Sequence, residues 1–290
     1  MFNRPDHTQK VFSQIRRVKP SRLYISADGP RTENEAAKVE AVRHLILTGI
    51  DWECEVKTNF KEQNLGCREA VSRGISWFFQ NEEMGIVLED DCLPELSFFY
   101  YCQELLYRFK DESEIGIISS GLINTSQKYS YSFINYPLIW GWASWRRVWE
   151  NYDVEASFIK SASEIKRLTG LRYSSNGVIR FWSTIYGNVT NINTWDYQLT
   201  LLFLKLGLKA VYPNHTLVQN IGLTGESTHH FDNSFAFSAV SHPIEFPLLH
   251  PKQISINRQV QEAIERAIFY EKPFLIRAVQ YLLRTFNLRS

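Results

Sequence analysis

The sequence predicts an α/β protein with a mostly parallel sheet flanked by helices. Segments of strand and helix periodicity alternate over the first 120 residues, the order that lays crossover helices on both faces of a sheet. The chain has 290 residues and is 44% hydrophobic, enough to bury one large core. No internal repeat or low-complexity tract points to a solenoid or a disordered chain.

The segment RPDHTQKVFSQIRRVKP (4–20) reads as a helix, with Pro5 in its first turn and Val11, Phe12, Ile15 and Val18 at helical spacing. RLYISADG (22–29) follows as a short strand ending in the turn-forming pair Asp-Gly. TENEAAKVEAVRHLIL (32–47) is helical, WECEVKTNF (52–60) alternates as a strand, and GCREAVSRGISWFFQ (66–80) is helical again. GIVLE (85–89), LSFFYYCQELLYRF (96–109) and IGIISS (115–120) continue as strand, helix and strand. Beyond residue 120 the regularity fades into an aromatic segment, YSYSFINYPLIWGWASWRRVW (129–149), and a polar helical stretch near 155–170. NTWDYQLTLLFLKLGLKAVYP (193–213) reads as helix, Gly207, strand. A loop-rich passage, NHTLVQNIGLTGESTHH (214–230), leads to a last helical region over 257–288, interrupted at Pro273.

The formal charge of +1, from 32 basic and 31 acidic residues, excludes a surface devoted to nucleic acid, so any anionic ligand is met by a local pocket. Cys54, Cys67, Cys92 and Cys102 lack C-x-x-C spacing and are scattered among apolar segments, which predicts free thiols and a reducing compartment. No basic leader with an apolar core opens the chain, and LTLLFLKLGLKAVY (199–212) carries lysines and is short for a bilayer span. The expected location is cytoplasmic, with Asn188-Val189-Thr190 a chance sequon.

The segment GIVLEDDCLPELSFF (85–99) concentrates the chemistry: an apolar strand breaks off into Glu89, Asp90 and Asp91. In a doubly wound sheet, ligands bind outside the carboxyl ends of strands, where loops and helix N-termini converge. Acids there suit a hard divalent cation, Mg²⁺ or Mn²⁺, which takes oxygen ligands and completes its shell with phosphates. The competing reading is a solvated turn in which Asp91 caps the helix after Pro94.

GIVLEDDCLPELSFFYYCQELL, together with IWGWASWRRVW (139–149) and TWDYQL (194–199), resembles nucleotide-sugar glycosyltransferases of the GT-A fold, in the branch related to N-acetylglucosaminyltransferase I and its bacterial relatives. The resemblance covers residues 2–230 and implies a Rossmann-like sheet. It divides the chain into a nucleotide-sugar-binding half (1–120), an acceptor-binding and catalytic half of the same domain (121–230), and a C-terminal loop and helical appendage (231–290). It further implies that Glu89 and Asp90 contact donor sugar and ribose and that Asp91, in a DxD-like motif, is the single protein carboxylate on Mn²⁺ or Mg²⁺. Arg4 in FNRP resembles the arginine that approaches the diphosphate, Asp28 in ISADG the acid that reads the nucleobase, and Arg68 in NLGCRE a basic residue near the donor. Read locally, Arg4 is a solvated first-turn residue, Asp28 a turn former, and Arg68 a surface partner of Glu69 or Glu62.

An inverting transfer from a nucleoside diphosphate, plausibly UDP, needs the departing diphosphate neutralised and the acceptor hydroxyl deprotonated on the opposite face. Asp196, at the start of a helix, resembles the family's general base; the local alternative is an acid favoured by the helix macrodipole, and Asp153 is the weaker contender. In the aromatic segment, Trp145 and Trp149 at i, i+4 read as core, whereas Gly141 between Trp140 and Trp142 permits close backbone approach beside a donor sugar or acceptor. His229, in GLTGESTHH (222–230), resembles a late histidine that reaches metal or diphosphate, and His230 reads as solvated.

The family begins with a full apolar strand before the FNRP motif, whereas here only Met1 and Phe2 precede it, so the expectation is a truncated first strand: either the true start lies upstream or the sheet has an empty slot beside the nucleotide site. Weak donor binding is the corresponding expectation. The C-terminal segment 264–290 mixes aromatics and leucines with Lys272, Arg277, Arg284 and Arg289, which reads either as a packed helix or as peripheral contact with the inner face of an anionic membrane. The expected acceptor is a glycan or lipid-linked glycan, as in bacterial polysaccharide biosynthesis. Two alternatives stand beside this reading. A sugar nucleotidyltransferase shares the sheet and metal logic but opens with a glycine-rich phosphate loop not seen here. A noncatalytic carbohydrate-binding protein keeps the pocket without turnover.

Overall fold

The computed structural model describes residues 1–173, 176–222 and 240–268. Helix α1 (Pro5–Val18) starts on Pro5 and ends at Lys19, whose left-handed φ of 52° turns the chain toward Pro20. Strand β1 (Arg22–Ala27), helix α2 (Glu33–Gly49) and strand β2 (Glu55–Phe60) form a parallel βαβ unit, with Arg22 opposite Glu55 and Ala27 opposite Phe60. Phe12, Ile25 and Ile46, one from each layer of this unit, make a small core of their own.

Helix α3 (Gly66–Asn81), strand β3 (Met84–Val87), strand β4 (Cys92–Pro94), helix α4 (Leu96–Arg108) and strand β5 (Ile115–Ser119) follow. The aromatic segment supplies strand β6 (Tyr131–Ile134), strand β7 (Trp142–Trp145) and the short helix α5 (Arg146–Trp149). Helices α6 (Ala162–Gly170), α7 (Asn176–Asn188) and α8 (Asp196–Leu206) come next. Gly207, at φ 72°, closes α8 by donating its N–H to Phe203 O (2.9 Å), and strand β8 (Lys209–Pro213) follows at once. Strand β9 (Val218–Asn220) and helix α9 (Arg258–Ile268) complete the described elements.

Five strands form one sheet in the order β3-β7-β5-β8-β6, flanked by helices. This corrects the expected parallel character: only β5 and β8 run parallel in it, while β3/β7, β5/β7 and β6/β8 are antiparallel. The reason is the connections. No helix lies between β5 and β6 or between β6 and β7, so those strands enter without the crossover a parallel neighbour needs. The result is an α/β protein with a mixed sheet. The main core runs from Ile75 to Ile264, so residues on either side of position 120 share it.

All four cysteines are free, as their spacing predicts. No helix of the described residues is long and apolar enough to cross a membrane. Most of the C-terminal segment 264–290, and Pro273 with it, lies outside the described residues.

Candidate functional site

The ends of β1 and β3 and the start of α8 bring five acids to a single cleft of about 2330 Å³. Asp28 follows β1, Glu89, Asp90 and Asp91 follow β3, and α8 opens on Asp196; all five acids line the cleft. Arg4, immediately before α1, lines it too.

The first residues of the chain are held by the acids. Phe2 N donates to Asp90 Oδ2 (3.0 Å), and the Arg4 guanidinium pairs with Asp91 Oδ2 (2.8 Å). Asp91 Oδ1 accepts a long bond from the Cys92 thiol (3.7 Å), and Asp91 O accepts from Ile221 N (2.8 Å), which aligns β4 with β9 below the acids. Gly222 presses on the same carboxylate: a Cβ there would stand 2.2 Å from Asp91 Oδ2, so only glycine allows this approach. Glu89 makes no side-chain hydrogen bond among the described residues. Burial pushes its carboxyl up to about 8, reinforced by the negative charges of Asp91 and Asp90. Cys67, at the start of α3, is pushed up to about 12 by burial and then by Glu89 and Asp196, so it remains a neutral thiol between the acids.

Asp196 is fixed by its surroundings. Thr194 Oγ1 and Tyr197 N both donate to its Oδ1, which leaves Oδ2 without a hydrogen-bond partner among the described residues. The preceding residue is pinned by Tyr152 Oη, which donates to Trp195 O (2.9 Å) while its ring stacks on Trp149. Gln198 Nε2 donates to Thr194 O (3.0 Å) and Val154 O (3.1 Å), securing the loop that feeds α8.

Asp28 has a different use. Its Oδ1 accepts from Gly29 N and Leu65 N, and its Oδ2 from Asn64 Nδ2 and Gly66 N, at 2.8–3.2 Å. The side chain is buried and holds the start of α3 against β1, so it is an organiser of the loop as well as part of the cleft wall.

Four residues singled out in the sequence lie outside the cleft lining. Arg68 is not a cleft residue: its guanidinium donates to Thr190 O (2.7 Å) and Val154 O (2.9 Å) and pairs with Glu155, tying α3 to two distant loops, while Glu69 is taken by Arg73. Trp142 is 1% exposed and stacks on Trp195 inside the core, whereas Trp140 is half-buried and lines the cleft. Gly141 does not open a ligand approach. At φ 78° it brings the backbone against Val218 and Leu88, where a Cβ would stand 2.8 and 3.1 Å from their side chains. Asp153 caps the turn over 153–157 through Glu155 N and Ser157 N, away from the cleft lining. His229 and His230 lie outside the described residues.

The cleft also recruits groups the sequence did not single out. Arg31 reaches its mouth, paired with Glu35 and stacked over Phe2, with Lys38 nearby on the same wall. Asn64, Asn193 and Asn220 add amides. Arg31 and Lys38 belong to no motif in the sequence, and only the fold brings them to the cleft wall.

No protein-family model matches the chain, and no curated protein matches it. Among the described residues no group of three or more His, Cys, Asp or Glu side chains is arranged to hold a metal ion. The acid cluster crowds three successive carboxyl groups, with Glu89 pushed up first by burial and then by the charges of Asp91 and Asp90.

Proposed function

We propose that the protein is a metal-dependent, inverting glycosyltransferase of the GT-A type that moves a sugar from a nucleoside diphosphate, UDP by preference, to a hydroxyl of a glycan or lipid-linked glycan. One observation carries the reading: the acids at the end of β3 share a cleft with a helix-opening Asp196 whose Oδ2 is free to accept a proton.

In this reading Asp91 holds Mn²⁺ or Mg²⁺, and the cation supplies positive charge to the departing diphosphate. Arg4, already beside Asp91, adds a second positive charge on the same side. Glu89 and Asp90 meet sugar and ribose hydroxyls, and Trp140 offers a ring to the sugar. Asp196 Oδ2 takes the proton of the acceptor hydroxyl. Thr194, Tyr197 and Tyr152 hold it in place, so the reactive oxygen is oriented before an acceptor arrives.

Incubation with UDP-sugars and Mn²⁺ tests the proposal. The chain is expected to release UDP with water as acceptor and to gain thermal stability from UDP only when Mn²⁺ is present. Asp196→Asn is expected to lower release at least about a hundredfold with the UDP-dependent stabilisation intact. Absence of both release and stabilisation for every nucleotide offered removes the reading.

A further inference from the structure

The charges of the cleft are not shared evenly along its lining. Arg4, Asp28, Arg31, Lys38 and the three acids after β3 all belong to the first 120 residues. Of the described lining residues beyond position 120, only Arg146 and Asp196 are charged. Arg146 is engaged elsewhere, donating to Phe79 O (2.6 Å) and pairing with Glu83 (2.7 Å), just before β3 begins. Asp196 is therefore the one charge, among the described residues, in an arm lined by Leu138, Ile139, Phe181, Ile192, Tyr197 and Ile268. All six pack against the main core yet are only half-buried, so each keeps apolar surface in the cleft.

The arm is poor in groups that would hold a further sugar. A sugar ring brings a hydroxyl on nearly every carbon, and each one buried without a partner costs affinity. Here Phe181, Trp182 and Tyr197 pack edge to face, with 5.3–6.2 Å between ring centres. Tyr136 is stacked on Tyr173 at 4.5 Å, and the Thr200 hydroxyl donates to Asp196 O (3.4 Å). Asn193 Oδ1 accepts from Arg68 N (3.1 Å). A hydrocarbon chain needs no such partners, and each methylene it buries is worth about fourfold in affinity. Ile192 and Tyr197 flank Asp196 in the chain, so the apolar surface begins beside the carboxylate.

We propose that this arm binds the hydrocarbon part of the acceptor, so that the reacting hydroxyl is one borne within a few bonds of a lipid's apolar chain. The inference rests on the transferase reading and narrows it, setting aside the far end of a long glycan as the acceptor. In the transfer step the acceptor O–H proton passes to Asp196 Oδ2, and the acceptor oxygen bonds to the anomeric carbon. The bond from that carbon to the diphosphate oxygen breaks, and UDP leaves with the electron pair. The hydrocarbon takes no part in these bonds. It selects which hydroxyl reaches the carboxylate, because burying the chain and aligning the oxygen occur together.

The test supplies UDP-sugars, Mn²⁺ and 1-alkanols from ethanol to hexanol, whose hydroxyls differ little in basicity, and measures alkyl glycoside formed beside sugar released to water. The kcat/KM for hexanol is expected to exceed that for ethanol by at least about twentyfold. The ratio is taken within each protein, so any overall loss of activity cancels. In Phe181→Asn, and separately in Ile192→Asn, it is expected to fall at least about fivefold. A ratio within about twofold of one in the parent, with sugar still released to water, overturns the proposal and leaves the transferase reading standing. A ratio unchanged in both variants also overturns it, since the selectivity then arises outside the arm. No release from any UDP-sugar, with or without alkanol, removes the reading and the proposal together.

Discussion

Replacing Glu89 by Gln isolates the electrostatic strain at the acid cluster. Burial and the charges of Asp91 and Asp90 hold the Glu89 carboxyl at about 8, against 4.5 for an unperturbed glutamate. Between those values the folded protein keeps a proton that the unfolded chain releases, so stability falls as pH rises through this window. Below the ordinary value both states are protonated and the group is neutral to folding. Above about 8 the folded protein carries a charge it disfavours, at a cost of at most about 5 kcal/mol. Gln copies the shape of the protonated acid without the charge. Calorimetric melting of both proteins from pH 5 to pH 9 without divalent cations is therefore expected to show similar melting temperatures near pH 5. The variant should gain roughly 5–10 °C over the parent by about pH 8.5. A melting difference that stays constant across the range would refute the reasoning, because it would mean that Glu89 ionises normally.

Two further substitutions probe the same architecture. Gly222→Ala drives a methyl into Asp91 Oδ2 and is expected to destabilise by about 1–3 kcal/mol and to abolish any Mn²⁺-dependent stabilisation by UDP, read by calorimetry with and without both ligands. Arg68→Ala releases the 150s and 190s loops from α3 and is expected to lower stability by about 2–4 kcal/mol while leaving UDP affinity within about twofold at a temperature where the variant is folded. A tenfold loss of affinity in isothermal titration would return Arg68 to the ligand.

The first 120 residues were legible because their signals are local. Helix and strand periods, Pro5 and the Asp-Gly turn all act within a few positions, and the elements they predict are found within a few residues of their expected ends. The antiparallel strands were not legible. β6 and β7 are four residues each and buried throughout, so neither shows the alternation that reveals a half-buried strand. Trp140 and Trp142 look equivalent in sequence, being two apart. The left-handed backbone at Gly141 breaks the pleat between them, and one indole goes to the cleft and the other to the core. The partners of Arg68 could not be read from the sequence because they lie 86, 87 and 122 residues away, beyond any local pattern. That Asp196 and the three acids after β3 lie at element ends bordering the cleft was readable, since there neighbours in sequence are also neighbours in space.

On the reading proposed above, the Arg4–Asp91 ion pair would make loading of the cleft a joint event. A divalent cation that takes Asp91 alone strands the guanidinium, and an anion that takes Arg4 alone strands the carboxylate. Arriving together, they exchange one internal pair for two external ones. If both bind, each ligand is expected to raise the affinity for the other by the same factor, which titrations of nucleotide at increasing Mn²⁺ and constant ionic strength read directly.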